Sequence, residues 1–264
     1  MVRQRDGTAT YLYCLVHARR APSLARAPRG LPGMGPPRLL DAGEGLWLVV
    51  ADAPLDRYGA APIERGLRDL RWVSARAVAH EAVVEHAARA GTVLPMKLFT
   101  LFAGDDRALA HVGRTRRKID RLLARVADRD EWGVRLSLDE ARARRGIAAG
   151  AGRRAGPAAT GTAFLLRKKG EQDAVRRLVE RAREEAERVF EDLARRADDA
   201  RRHTPPQAPG AVRVLLDAAF LVPARQAARF RGAVRLLGAR LARDGFQLTL
   251  TGPWPPYNFV AEPA

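Results

Sequence analysis

The sequence predicts an α+β protein with two sandwich domains, each an antiparallel sheet backed by helices. Strand-like and helical segments follow one another as strands, helices and strands, and this order occurs twice along the chain. The length of 264 residues corresponds to about 1.8 domains of typical size. We therefore expect an N-terminal domain at residues 1–128 and a C-terminal domain at residues 129–264.

The first domain is predicted to begin with a strand, a loop and a hairpin. Tyr11–Val16 is a short run of aromatic and β-branched side chains, which is typical of a strand. Residues 22–37 contain five prolines and three glycines, so this segment is expected to be a loop. Arg38–Asp41 and Leu46–Asp52 flank a turn-forming segment and are predicted to pair as a hairpin.

Two helices and a buried strand are expected to complete this domain. The first helix lies within residues 62–90, with Ser74 as its N-cap and Gly91 as its stop. The apolar segment Val93–Phe102 predicts one buried strand. A second helix is predicted from Asp105 to about Ala127, because acidic residues at its start are favoured by the helix dipole.

The second domain is predicted to contain a helix longer than its sheet. Strand Trp132–Leu138 comes first, followed by a Gly/Ala-rich loop at residues 139–160 and strand Gly161–Arg167. Apolar residues at heptad spacing then predict a helix over Glu171–His203, roughly 50 Å long at 1.5 Å per residue. Part of it should project and pair with another helix or a partner protein. The seam is Val175, Val179, Ala182, Ala186, Val189 and Leu193.

The rest of the second domain is predicted as strand Val212–Val222, a helix within residues 223–244 and strand Phe246–Thr251. Residues 251–260 combine prolines and aromatic side chains, which predicts a stiff apolar segment. We expect this segment to pack on the second sheet and close that domain, whereas an exposed segment would be a docking site. Its aromatic residues are Trp254, Tyr257 and Phe259.

The net charge of +17 raises the question of a nucleic-acid partner. Of the 47 basic residues four are lysines and 43 are arginines, as a GC-rich coding sequence would produce. The charge is also spread over both halves, whereas nucleic-acid binders usually concentrate it on one face or tail. A solvated arginine-rich surface is the preferred interpretation, and a basic nucleic-acid or polyanion-binding regulator remains the alternative.

No motif of an enzyme or a metal centre is found in the sequence. His80 and Glu81 begin the pattern of a zinc-protease helix, but Val84 stands at the position of the second histidine. We expect His80 to pack and hydrogen-bond where helix and sheet meet, with His86 solvated. Cys14 is the only cysteine, which excludes an internal disulfide framework. A non-enzymatic, cytoplasmic protein without cofactor, metal or membrane span is therefore expected.

Four segments resemble the gas vesicle protein family GvpL/GvpF. They are Trp72 with residues 79–81, Val93–Thr100, Glu131–Arg135, and the ending Thr251–Phe259, which is the most specific. A departure lies in the second segment, where Phe99 stands in place of the family's glycine. Motif residues that we take as candidates for partner binding are Trp72, His80, Glu81, Pro95, Phe99, Thr100, Trp132, Gly133, Gly252, Pro253, Trp254, Pro255, Pro256, Tyr257 and Phe259.

The resemblance implies a minor, non-enzymatic component of gas vesicle formation with two ferredoxin-like domains, the second carrying a long projecting heptad helix. It also implies binding to the major gas vesicle shell protein and to accessory proteins during assembly, in the cytoplasm and at the vesicle. We hypothesise that strand edges and apolar helix faces of the first domain keep shell subunits soluble. The apolar segments Leu46–Ala51 and Val93–Phe102 motivate this hypothesis.

Overall fold

The chain folds as a mixed α+β protein with two antiparallel sheets, which confirms the predicted class. The computed structural model describes residues 7–139, 161–205 and 212–260. The fold divides into two units, of which the first comprises Met1–Arg129 and Trp254–Ala264 and the second Asp130–Pro253. The end of the chain thus belongs to the first unit and not, as predicted, to the second domain.

The sheet of the first unit is built around its first strand. In space the order is β2-β3-β1-β4. Strand β5 also pairs with β1, at Thr10 and Tyr11, whereas β4 pairs with the later residues of β1. Every residue of β1 from Ala9 to Val16 is buried, because strands lie on both sides of it and helices cover its face. The strands are β1 Thr8–His17, β2 Arg38–Asp41, β3 Leu46–Pro54, β4 Thr92–Pro95 and β5 Leu101–Phe102.

The predicted hairpin is present, and β2 pairs antiparallel with β3. Its turn needs left-handed backbone at Gly43, with φ 78°, and at Gly45, with φ 74°, which glycine adopts without steric cost. The Asp41 carboxylate accepts the Gly43 N–H at 2.8 Å. The proline-rich segment before β2 forms the predicted loop, with no helix between β1 and β2.

The predicted single strand Val93–Phe102 is wrong, because the chain turns in its middle. Strand β4 ends at Pro95, and β5 begins only at Leu101. Between them Phe99 has φ 66°, a left-handed conformation that a strand cannot contain. The Thr100 hydroxyl donates to the Lys97 carbonyl at 2.7 Å and closes the turn.

The helical region of the first unit is divided more finely than predicted. Three helices occupy it: α1 Leu55–Tyr58, α2 Ala60–Gly66 and α3 Leu70–Ala88. Ser74 is not a cap, because α3 begins four residues earlier behind Asp69. The Asp69 carboxylate accepts two backbone N–H groups of the first turn, at 2.8 and 3.3 Å, and so caps the helix.

Helix α4, Asp105–Val126, begins where the acidic residues predicted. Asp105 also ties this helix to the sheet, because Arg38 donates to its carboxylate at 2.8 Å and Thr10 at 2.7 Å. Burial alone would raise the pKa of Asp105, but the hydrogen bonds from Arg38 and Thr10 outweigh burial and lower it. The carboxylate is therefore held in its charged form at the end of α4 that favours an anion.

Over its described residues, the second unit has the element order β-α-β-β-α-β. Its sheet has the spatial order β7-β8-β6-β9, and its core lies between this sheet and the two helices. Among the described residues, no helix is long and apolar enough to span a membrane. The elements are β6 Arg129–Asp139, α5 Gly161–Ala194, β7 Asp199–His203, β8 Val212–Pro223, α6 Ala227–Leu241 and β9 Phe246–Trp254, with short 3₁₀ turns at both ends of α6.

Two predictions around the long helix are wrong. Residues Gly161–Arg167 form the first turns of α5 and not a strand, because a short apolar run fits either structure. The helix also ends at Ala194 instead of His203. The last five residues assigned to it form β7, which pairs antiparallel with β8 from Asp199–Leu221 to His203–Asp217. The predicted loop at residues 139–160 lies, from residue 140 onward, outside the described residues.

The heptad seam of α5 packs inward over the part that the structure describes. Four seam residues are buried in the core of the second unit, together with Phe220 and Phe230. The side chains of Val175 and Val179 lie outside the described set. These four of the six seam residues therefore cover the sheet of their own unit. Its buried members are Ala182, Ala186, Val189 and Leu193.

The proline-rich ending does not close the second unit. After β9 it forms a short helix, α7 Tyr257–Val260, which contacts β4 and α4 of the first unit. Phe259 is fully buried, and Tyr257 packs against the core of the first unit. Trp254 is 39% exposed. The sequence pattern shows that this segment is apolar. It does not show which of the two sheets the segment packs against, because that depends on the path of the chain.

Candidate partner-binding site

Motif residues from separate parts of the sequence meet around α3 in the first unit. Trp72, His80 and Glu81 lie on this helix, and Phe99 and Tyr257 contact it from the β4–β5 turn and from α7. These contacts form two neighbouring groups along α3. One is a buried polar cluster at His80 and Glu81, and the other is an aromatic stack at Trp72.

His80 is buried, with 3% of its surface exposed, and it links α3 to the central strand. Its Nδ1 shares a hydrogen bond of 2.7 Å with the Tyr11 hydroxyl, whose oxygen also accepts the Phe99 N–H at 3.4 Å. Burial lowers the pKa of His80 to about 4, an effect that the Met96 carbonyl only partly opposes. The ring is thus neutral at pH 7 and serves packing, as the sequence predicts. His86 is half-buried against the Ser23 carbonyl at 3.0 Å, and not simply solvated.

Glu81 faces Tyr257 of the C-terminal helix. Burial raises the pKa of the Glu81 carboxyl, while the neighbouring Tyr257 hydroxyl lowers it in part. Burial also raises the pKa of the Tyr257 hydroxyl, and the Glu81 carboxyl adds to this increase. The Tyr257 ring lies 6.3 Å from the His80 ring, centroid to centroid. The Glu81 Oε1 and the Tyr257 hydroxyl are both withdrawn from solvent and have no hydrogen-bond partner among the described residues. Packing of the Tyr257 ring near His80, and not a hydrogen bond, therefore brings α7 to α3.

The aromatic stack is centred on the Trp72 indole. The Arg76 guanidinium lies 3.8 Å from the ring centroid, and the centroid of the Phe99 ring is 5.4 Å away. Arg76 also donates to the Trp72 carbonyl at 3.2 Å and lies 5.8 Å from the Tyr58 ring. The arginine head therefore lies within about 6 Å of two aromatic rings, an arrangement that cation–π attraction stabilises.

Gly66 at the end of α2 is required by this stack. A Cβ added there would lie 2.6 Å from three atoms of the Trp72 ring. We expect Gly66→Ala to displace the indole, weaken its contact with Arg76 and destabilise the first unit by about 1–3 kcal/mol. Urea denaturation and tryptophan fluorescence measure both effects.

The matched control is Gly113→Ala, in the interior of α4, where an added Cβ meets nothing within 4 Å. This variant should gain about 0.5–1 kcal/mol from the higher helix propensity of alanine. Equal stability of the two variants would contradict the packing role of Gly66.

A cleft of about 510 Å³ opens beside the stack. Its walls come from the loop before β2 and from helices α1 to α3. Three arginines, one carboxylate and the indole supply its polar and aromatic groups. They are Arg57, Arg65, Arg76, Asp69 and Trp72. The sequence prediction included only the tryptophan, because the arginines are 8 and 11 positions apart and form no local cluster.

The other motif residues stabilise the fold at their own positions. Trp132 is buried in the core of the second unit, where the Arg231 guanidinium lies 5.9 Å from its ring centroid. A Cβ at Gly133 would lie 2.6 Å from the Thr251 Oγ1, so this position admits only glycine without a shift. Gly252 has φ 114°, which also favours glycine. Pro95, Pro255 and Pro256 are buried, Thr100 is half-buried, and Pro253 is exposed.

The chain is similar to known proteins over nearly its whole length. Residues 9–261 match the family described as gas vesicle synthesis protein GvpL/GvpF. The chain belongs to this family. It is 31% identical to gas vesicle protein L of a Streptomyces species over 254 residues, which cover 93% of this chain and 91% of that protein. It is 30% identical to gas vesicle protein F of the same source, over 96% of this chain and 99% of that protein.

The fold agrees with a solved GvpF structure. The crystal structure of GvpF from Anabaena superimposes with a TM-score of 0.68 at 16% identity, covering 97% of this chain and 98% of that chain. GvpL/GvpF membership indicates a role in gas vesicle formation, and the family is not a known enzyme family. Within the described ranges, no group of three or more metal-binding side chains is assembled.

Proposed function

We propose that the protein is a non-enzymatic, cytoplasmic assembly factor that binds the major gas vesicle shell protein and accessory proteins while the vesicle forms. The observation that carries this proposal is the GvpL/GvpF match over nearly the whole chain. The β-α-β-β-α-β order and the strand order of the second unit further support a ferredoxin-like description of that unit.

The apolar strands of the first unit do not offer a surface for the shell protein. Residues Leu46 and Leu48–Ala51 of β3 are buried, since β3 lies between β2 and β1. Val93 and Leu94 of β4 are buried as well. Of the two segments that motivated the strand hypothesis, the first is thus committed to the core of the first unit, as are residues 93–95 of the second, whereas residues 96–102 are half-buried or exposed.

The helices of the first unit offer the exposed apolar side chains instead. Leu67 is 56% exposed and Leu70 is 79% exposed, on either side of the junction between α2 and α3. Leu55 and Val78 add 44% and 71% exposed side chains on α1 and α3. We place contact with a hydrophobic shell protein on this helical surface, because burying such side chains against a partner is favourable.

Co-expression with the shell protein followed by pull-down tests this assignment. The wild-type chain should retain the shell protein, and the double variant Leu67→Ser with Leu70→Ser should retain several-fold less. The control is Leu236→Ser, which removes an equally exposed leucine, at 73%, from α6 of the second unit. Failure of the wild-type chain to retain any shell protein would refute the proposal.

Polyanion binding is the competing outcome. The arginines of α5 support it poorly, because acidic side chains of the same helix neutralise them, as in Arg176–Glu180 at 3.3 Å and Arg188–Glu184 at 3.0 Å. Arg202 of β7 likewise pairs with Glu187 at 2.6 Å. A heparin column separates the two functions, since a weak, purely electrostatic contact is lost at about 150 mM salt.

A further inference from the structure

The cleft beside Trp72 has positive charge that the described part of the chain leaves without carboxylate partners. Arg57, Arg65 and Arg76 line it, and none of the three forms an ion pair with the described residues. The Asp69 carboxylate is engaged in capping α3. Glu64, which is next to Arg65 in sequence, pairs with Arg68 at 3.5 Å.

One of these arginines, Arg76, is positioned before any ligand arrives. Arg76 is held by the Trp72 and Tyr58 rings, and its Nε is buried without a hydrogen bond in the described structure. The Arg57 side chain lies beside Gly33, so a side chain at position 33 would compete with it for space in the cleft. A guanidinium that is already held, as that of Arg76 is, loses little side-chain entropy when it binds a carboxylate, which strengthens the contact.

The dimensions and surroundings of the cleft fit a protein segment better than a small anion. A volume of about 510 Å³ exceeds by far what one phosphate or acetate fills. Leu67 and Leu70, both exposed, are neighbours in sequence of the lining residues Gly66 and Asp69. An occupant with carboxylates beside apolar side chains would match both features.

We propose that this cleft binds an acidic segment of a partner protein, with its carboxylates on Arg57, Arg65 and Arg76. The inference deepens the proposed function, on which it rests for the existence of a protein partner. It adds a position in the first unit and a chemical class of ligand. Arg–carboxylate pairs are bidentate and directional, so they select the orientation of the segment as well as its charge.

Fluorescence anisotropy with a labelled hexaglutamate peptide tests the inference on the full chain at 150 mM salt. The double variant Arg57→Gln with Arg65→Gln should bind the peptide at least about tenfold more weakly. The control is Arg117→Gln with Arg121→Gln on α4, which removes the same charge from the same unit and should change the affinity by less than about twofold. Both arginines of the control pair are exposed.

Three results would overturn the inference: no binding of the peptide, an equal loss in the control variant, or displacement by inorganic phosphate at the concentration at which unlabelled hexaglutamate displaces it. The shell-protein pull-down separates this failure from that of the proposed function. If the wild-type chain retains the shell protein but does not bind the peptide, only the cleft is refuted. If the wild-type chain binds the peptide but does not retain the shell protein, only the assembly role is refuted.

Discussion

Replacement of Phe220 by alanine will lower the free energy of unfolding of the second unit by about 3–5 kcal/mol. Phe220 lies on β8 and is fully buried. Its ring centroid is 5.7 Å from that of Phe190 on α5 and 5.5 Å from that of Phe230 on α6. The substitution leaves a cavity where both helices meet the sheet, and a close-packed core refills such a cavity only in part.

Hydrogen exchange measured by mass spectrometry checks this result unit by unit. Peptides from β8 should exchange much faster in the variant, while peptides from β1 in the first unit should keep their wild-type rates. Leu236→Ala on α6 is the control, because its side chain is 73% exposed and its loss should change stability by less than about 0.5 kcal/mol. Unchanged exchange of β8 in the Phe220 variant would contradict the prediction.

Acidification from pH 7 to pH 4 will destabilise the first unit through His80. Burial lowers the pKa of His80 from 6.5 to about 4, so the unfolded chain binds the proton first as the pH falls. The folded state therefore loses stability between these two values, by up to about 3 kcal/mol for this residue alone. The loss begins near pH 6.5 and is complete near pH 4.

Urea denaturation at a series of pH values, compared between wild type and His80→Gln, isolates this contribution. The raised pKa of Glu81 acts in the opposite direction. Burial favours the protonated carboxyl, so the folded state loses stability as the pH rises. Glu81 is present in both chains, so its effect cancels in the difference. If His80→Gln keeps the wild-type pH profile, the prediction is wrong.

Local sequence signals predicted elements that depend on near neighbours. The β2–β3 hairpin follows from a glycine-containing turn between two apolar runs, and α4 follows from its apolar periodicity and its acidic start at Asp105. The strand predicted at Gly161–Arg167 is wrong because six small or apolar residues before an arginine fit either a strand or a helix end. The segment Asp199–His203 forms a strand only because β8 is available to pair with it.

The candidate site was predictable to a similar extent. His80 was expected to be a packed histidine because Val84 occupies the position of a second metal ligand, and its contact with Tyr11 fulfils that expectation. Arg76 was missed, since an arginine on a helix gives no sign in sequence of the ring on which it will stack. The cleft depends in the same way on three helices and a loop coming together.

The position of α7 in the first unit has a consequence for how the protein is made. The core of that unit includes Phe259 and Tyr257, which leave the ribosome more than 120 residues after Arg129. The second unit contains all of its residues between Asp130 and Pro253, so it has its complete sequence first. Although domains usually fold from the N-terminus onward during synthesis, the last unit to be completed here is the one that begins the chain.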